Sequence, residues 1–171
     1  MNYLGIDLGG TNVAAAVVDD AGTILGRASL PTPRGVEPVA DAMAAAAHAT
    51  AVDAGVGWEE IATVGVGSPG TIQPAEGVVK YWSNLDFRDV PLAALLEARL
   101  NKEIHLENDA NAAALGEYAA GAGKGSSSMV AITLGTGVGG GAVLDGKLYT
   151  GFNYAGLEVG HFVIEYNGRP C

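Results

Sequence analysis

The sequence predicts an α/β protein, and three features carry that prediction. Apolar runs of strand length flank polar, glycine-rich tips near both ends of the chain, at residues 4–18 and 129–144. Between them, stretches with apolar positions at helical spacing (36–54, 91–100, 110–120) alternate with short apolar strands at 61–66, 78–82 and 104–106. A chain of 171 residues, 49% hydrophobic and 16% charged, has enough apolar mass for a sizeable core, and no apolar run approaches the roughly 18 residues of a membrane span.

The first apolar run ends in Asp7, turns through Gly9, Gly10, Thr11 and Asn12, and resumes with no room for a helix, so it reads as a β-hairpin. Strands this apolar are expected to be buried on both faces. Glycines at the tip let backbone N–H groups approach an anion, and a carboxylate beside them suits a hydrated Mg²⁺ on a nucleotide. Taken alone, the tip is equally an ordinary hairpin turn. A turn at 19–22 leads to a third strand at 23–30, closed by Pro31 and Pro33. Val36, Val39, Ala40, Met43 and Ala47 then share one helical face, with His48 on the solvated side.

The strand at 61–66 runs into Gly67-Ser68-Pro69-Gly70, which either shapes a ligand pocket or simply turns. A strand at 78–82 ends in Trp82, read as core or pocket wall, ahead of Ser83, Asn84 and Leu85. Pro91 is tolerated in the first turn of a helix whose apolar stripe is Leu92, Leu95, Leu96 and Leu100. After a strand at 104–106, Asn108 or Asp109 is the expected N-cap of the helix at 110–120, and a carboxylate at that end interacts favourably with the helix dipole.

Residues 121–128, rich in glycine and serine, form the best candidate boundary, expected to be flexible. Beyond them a strand at 129–134, a glycine-dense turn at 135–141, a strand at 142–144, the hairpin signal Asp145-Gly146 and a strand at 147–149 repeat the opening pattern. Two such tips are placed to face each other across one cleft.

Charge narrows the partners. Nineteen acidic against 9 basic residues, a net charge of −10, repel a phosphate backbone, so nucleic acid is not expected, nor is a membrane. A bound nucleotide must then be held by backbone dipoles and a cation. The single cysteine, Cys171, excludes an internal disulfide. The N-terminus enters strand pattern at once, without a charged leader, so a cytoplasmic protein is expected.

Four motifs stand in order: Asp-Leu-Gly-Gly-Thr-Asn at 7–12, Glu-Asn-Asp-Ala-Asn at 107–111, Leu-Gly-Thr-Gly-Val-Gly-Gly-Gly at 134–141 and Glu-Val-Gly-His at 158–161. Together they resemble the ROK sugar kinases, above all the bacterial glucokinases of that family, within the actin, Hsp70 and sugar-kinase superfamily. The resemblance implies two ribonuclease H-like lobes with ATP and sugar between them. Residues 1–121 would be the first lobe and 122–171 the start of the second. It assigns Asp7, Gly9, Gly10, Thr11 and Asn12 to a first phosphate loop, with Asp7 on Mg²⁺ through water, and Gly135, Thr136 and Gly137 to a second. It further assigns Gly67, Ser68, Asn84, Asn108, Asp109, Glu158 and His161 to the sugar, with Asp109 as catalytic base.

In that family a His followed by cysteines binds a structural Zn²⁺. Here the resemblance gives His161 and Cys171 only, two of the four ligands a closed tetrahedral site needs. The chain is therefore expected to be a fragment lacking the remaining zinc cysteines, a later sugar-binding Glu and most of the second lobe. Such a fragment is expected to be inactive alone and to expose an apolar face or edge. The implied activity is ATP-dependent phosphorylation of a hexose, foremost glucose at its 6-hydroxyl, by a homodimer when full length. Kinases of N-acetylmannosamine, N-acetylglucosamine or fructose share the motifs. Sugar-sensing regulators of the family carry a DNA-binding module ahead of the first strand, and Met1 is expected to leave no room for one.

Overall fold

Alternating apolar positions build the first hairpin, β1 (Asn2–Leu8) and β2 (Asn12–Asp19), with Leu8 opposite Val13, and β3 (Ile24–Pro31) extends it antiparallel. The computed structural model of the chain describes residues 1–135 and 137–169. Helix α1 (Val36–Ala54) crosses to β4 (Ile61–Ser68), which returns parallel to β1. A small antiparallel sheet of β5 (Thr71–Gln73), β6 (Val78–Trp82) and β7 (Phe87–Val90) follows. Helix α2 (Leu92–Leu100) then leads to β8 (Ile104–Asn108), completing a five-stranded sheet of order β3-β2-β1-β4-β8. Helix α3 (Asp109–Ala120) begins where β8 ends. A third sheet, of three strands, consists of β9 (Met129–Leu134), β10 (Val138–Leu144) and β11 (Lys147–Tyr149).

One face of the main sheet is the core. Leu4, Ile6, Leu8, Val13, Val17, Val64 and Val66 are buried there against Val39, Ala40, Met43 and Ala47 of α1 and Leu92, Leu96 and Leu100 of α2. The other face departs from the expected two-sided burial: Gly5 and Asp7 are exposed, and Ala14, Ala16 and Gly65 are half-buried. Alternate positions in these strands are glycine and alanine, which raise the apolar count while presenting almost no side chain that needs cover. The open floor that results is one wall of a cleft.

Two strands escape the sequence pattern. β5 and β7 are three and four residues long, too short for a period to show, and β7 buries Phe87 and Val90 while exposing Arg88 and Asp89. Pro91 caps α2 from outside its first turn. The expected glycine turn at 135–141 is also shorter than read, because β10 resumes at Val138. Its glycines serve packing: a Cβ at Gly141 would stand 2.7 Å from the Ala110 carbonyl oxygen, so α3 rests directly on the β10 backbone. The Asp145-Gly146 hairpin has both residues at positive φ, 49° and 76°, the turn that the dipeptide predicts.

Residues 121–128 are a run of hydrogen-bonded turns. The Gly121 and Gly123 amides both donate to the Glu117 carbonyl, and the Ala122 amide donates to the Glu117 carboxylate at 2.8 Å. Helix α3 thus joins the main sheet to the third, against β4 and β8 and against β9 and β10. The expected apolar face lies on the third sheet, where Val130, Ile132, Leu134 and Val138 are exposed side by side. Among the described residues, no helix is long and apolar enough to cross a membrane.

Candidate active site

The turn between β1 and β2 is closed by the Gly9 amide, which donates to the Asn12 carbonyl at 2.9 Å. On the β3 side, Thr32 donates twice: its amide to the Thr11 carbonyl at 2.8 Å and its Oγ1 to the Gly9 carbonyl at 2.7 Å. Asp7 stands two residues before this loop, opposite Gly67 of β4. Its carboxylate has no hydrogen-bond partner among the described residues. Although the residue is exposed along the cleft floor, its carboxylate is partly desolvated by the surrounding walls; that desolvation first, and the negative charge of Asp109 second, raise its pKa above the ordinary carboxylate value.

The N-terminus of α3 is held by its own motif. Asn108 is the N-cap, its Oδ1 accepting from the amides of Ala110 at 3.0 Å and Asn111 at 3.2 Å. Glu107 Oε1 accepts from the Asn108 amide at 2.8 Å and from Asn111 Nδ2 at 3.1 Å. Asp109 Oδ1 accepts from the Ala110 amide at 2.8 Å, leaving Oδ2 without a protein partner among the described residues. Asn108 Nδ2 also reaches the Gly70 carbonyl at 3.4 Å, tying the helix start to the loop after β4. The sequence reading gave Glu107 and Asn111 no part in this. Their four-residue spacing at a helix start was the available signal.

These pieces surround a single cleft of about 2000 Å³. Asp7, Gly9, Gly10, Thr11, Gly67, Asn84, Asn108, Asp109, Gly135, Gly137, Glu158 and His161 all line it, so both glycine tips open into the same space. Gly10 packs against the loop carrying Asn84: a Cβ there would stand 3.5 Å from Asn84 Nδ2. Trp82, buried edge-on against Phe87 at 5.7 Å, forms wall beside it. Glu158 and His161 sit on a segment laid over β10, with Gly160 close to the Val138 carbonyl and the two side chains 4.0 Å apart.

Two expected residues are not in the cleft. Ser68 is fully buried, with its hydroxyl turned to the Pro69 carbonyl, because it shares the inward face of Val64 and Val66. Asn12 lies off the cleft and contributes its carbonyl to the turn. Thr136 and Cys171 lie outside the described residues.

The sequence model of the ROK family matches residues 3–171. The chain belongs to the ROK family. It is 41% identical over 168 residues to a glucokinase of Streptomyces coelicolor, covering 98% of this chain and 51% of that protein. It is 42% identical to a glucokinase of Thermotoga maritima, covering 100% of this chain and 53% of that protein. The crystal structure of a ROK family glucokinase from Streptomyces griseus in complex with glucose and AMPPNP superposes with a TM-score of 0.88 at 38% identity, over 96% of this chain and 51% of that one. The chain thus spans about half the length of the relatives it matches, and its fold is the actin-like sugar-kinase fold of the ROK glucokinases.

Asp7, an unpartnered hard oxygen donor beside the first loop, fits a hydrated divalent cation held through water. Among the described residues no group of three His, Cys, Asp or Glu side chains gathers around a common point, and Cys171, the second expected zinc ligand, lies outside them.

Proposed function

We propose that this ROK chain is the half of a hexose kinase that carries the phosphate loops and most of the sugar site, and that the whole enzyme moves the γ-phosphoryl group of ATP to the 6-hydroxyl of glucose. The observation that carries the reading is the convergence of both glycine tips and the α3 N-terminus on one cleft. Backbone N–H groups at the tips suit triphosphate oxygens in a protein whose net charge of −10 offers no general attraction. Residues 1–121 then act as one lobe and 122–171 as the start of the other, joined through α3.

In this reading the sugar is held by Asn84, Asn108, Glu158 and His161, whose donors and acceptors suit a polyol. Asp109, fixed by the Asn108 cap, directs its free Oδ2 to the attacking hydroxyl. The sugar hydroxyl oxygen forms the new bond to the γ-phosphorus, the bond to the bridging oxygen of ADP breaks, and the hydroxyl proton passes to Asp109 Oδ2. Because the transition state of phosphoryl transfer is loose, alignment of these groups contributes more than base strength. Asp7 would hold a hydrated Mg²⁺ beside the phosphates, and that ion would supply charge neutralisation on their oxygens.

The test is a coupled ADP-release assay across glucose, N-acetylglucosamine, N-acetylmannosamine and fructose, on a chain extended to the relatives' length. Preference for glucose is expected, and turnover of none of the four overturns the reading. The 171-residue chain alone is expected to be inactive.

A further inference from the structure

We infer that Thr32, remote from the glycine motif in sequence, is a positioning residue that sets which way the Gly9–Gly10 peptide faces, and thereby holds the Gly10 amide toward the cleft. The inference rests on the phosphate-loop reading above and adds the element that makes the loop competent. A trans peptide is planar with its C=O and N–H pointing in opposite directions. The carbonyl of the Gly9–Gly10 unit accepts from Thr32 Oγ1 at 2.7 Å, so the N–H of the same unit points away from β3. Among the described residues, the Gly10 and Thr11 amides donate to no protein acceptor, while both residues line the cleft.

The hydroxyl is needed because a peptide flanked by two glycines has little of its own to resist rotation: neither residue has a Cβ to exclude the flipped arrangement. Flipped, the unit turns a carbonyl oxygen toward a phosphate in place of a donor. Neighbouring contacts do not decide the matter. The Gly9 amide is held by the Asn12 carbonyl, and the Thr32 amide holds the Thr11 carbonyl, but these groups belong to the Leu8–Gly9 and Thr11–Asn12 peptide units. Thr32 Oγ1 is the group that acts on the Gly9–Gly10 unit itself. It also sits well placed for the task, since Thr32 directly follows the last β2–β3 pair, Asn12 opposite Pro31.

The experiment titrates inorganic tripolyphosphate with Mg²⁺ into the 171-residue chain and follows the Gly10 and Thr11 amides by ¹H–¹⁵N NMR. Thr32→Val is expected to weaken binding by about tenfold, the order of one orienting hydrogen bond, and Thr32→Ser to stay within about twofold of the wild type. Thr50→Val removes the same kind of bond, Thr50 Oγ1 to the Ala46 carbonyl at 2.8 Å in the core, and is expected to leave the affinity unchanged. That control separates orientation from general loss of stability. Thr32→Ala removes the hydroxyl without a replacing methyl and gives the same reading if valine does not fit. Wild-type Gly10 and Thr11 amides unmoved by the probe overturn the phosphate-loop reading and this inference together. Wild-type binding that Thr32→Val retains, or that Thr32→Ser fails to keep, overturns this inference alone.

Discussion

Asp7 and Asp109 meet over Gly67: Asp7 is its register partner on β1, and the Asp109 Cα stands 3.5 Å from where a Gly67 Cβ would be. Two carboxylates brought to one cleft raise the energy of holding both charges, and the pKa of Asp7 is raised by burial and then by Asp109. The folded chain therefore binds this proton more tightly than the unfolded chain, whose Asp7 titrates near 3.8. Stability tied to Asp7 is complete below that value and is lost as pH rises through the raised folded pKa. Asp7→Asn, which cannot ionise, is expected to gain in Tm over the wild type as pH rises across that interval, with the gain constant above it. Asp109→Asn should shrink the difference without removing it, since burial is the larger cause. A Tm difference that does not change with pH contradicts this account.

The cap on α3 makes a separate prediction. Asn108 satisfies two backbone amides at the helix start, and Asn108→Ala is expected to cost about 1 kcal/mol, seen as a Tm lower by about 2–4 °C. Urea denaturation should give the same loss with an unchanged m-value. A variant as stable as the wild type means that the cap is replaced by water or by Asp109.

How far these features were legible depends on whether their cause is local. Helix α1 was readable from its first to its last residue, because Val39, Met43 and Ala47 recur at helical spacing and Gly55 ends the run in a left-handed conformation. The α3 cap was narrowed to two adjacent residues for the same reason. Ser68 was expected at the pocket, although counting by twos from Val64 and Val66 turns it inward. Thr32 carries no such signal. It acts on Gly9 across 23 positions, and only the pairing of β2 with β3 reveals it. The glycines of β10 read as turn because a glycine required by a neighbouring helix and one required by a bend are the same letter.

Gly141 tests that last distinction. Its missing Cβ is replaced in space by the Ala110 carbonyl oxygen at 2.7 Å and the Ala114 Cβ at 2.7 Å. Gly141→Val must push α3 away from β10, at a cost of about 1–3 kcal/mol by the usual scale of overpacking. Because Ala110 follows Asp109, the displacement should also shift the Asn108 and Asp109 amide resonances. Shifts confined to β10 and β11 indicate that the strand, rather than the helix, gives way.

The exposed face of the third sheet leads to a prediction about association. Val130, Ile132 and Leu134 point outward from β9 at 58%, 56% and 82% exposure, with Val138 of β10 beside them, which forms a contiguous apolar stripe at a strand edge. Monomeric proteins rarely leave such a surface open, and an unpaired edge beside it offers backbone partners as well. The 171-residue chain is expected to self-associate reversibly through this face, giving a concentration-dependent sedimentation coefficient. Replacing Val130, Ile132 and Leu134 together by threonine keeps strand propensity while removing apolar area, and should return the chain to monomer with its circular dichroism unchanged. Association that survives the triple substitution would assign the contact elsewhere, with the exposed Phe162, Val163 and Ile164 next in line.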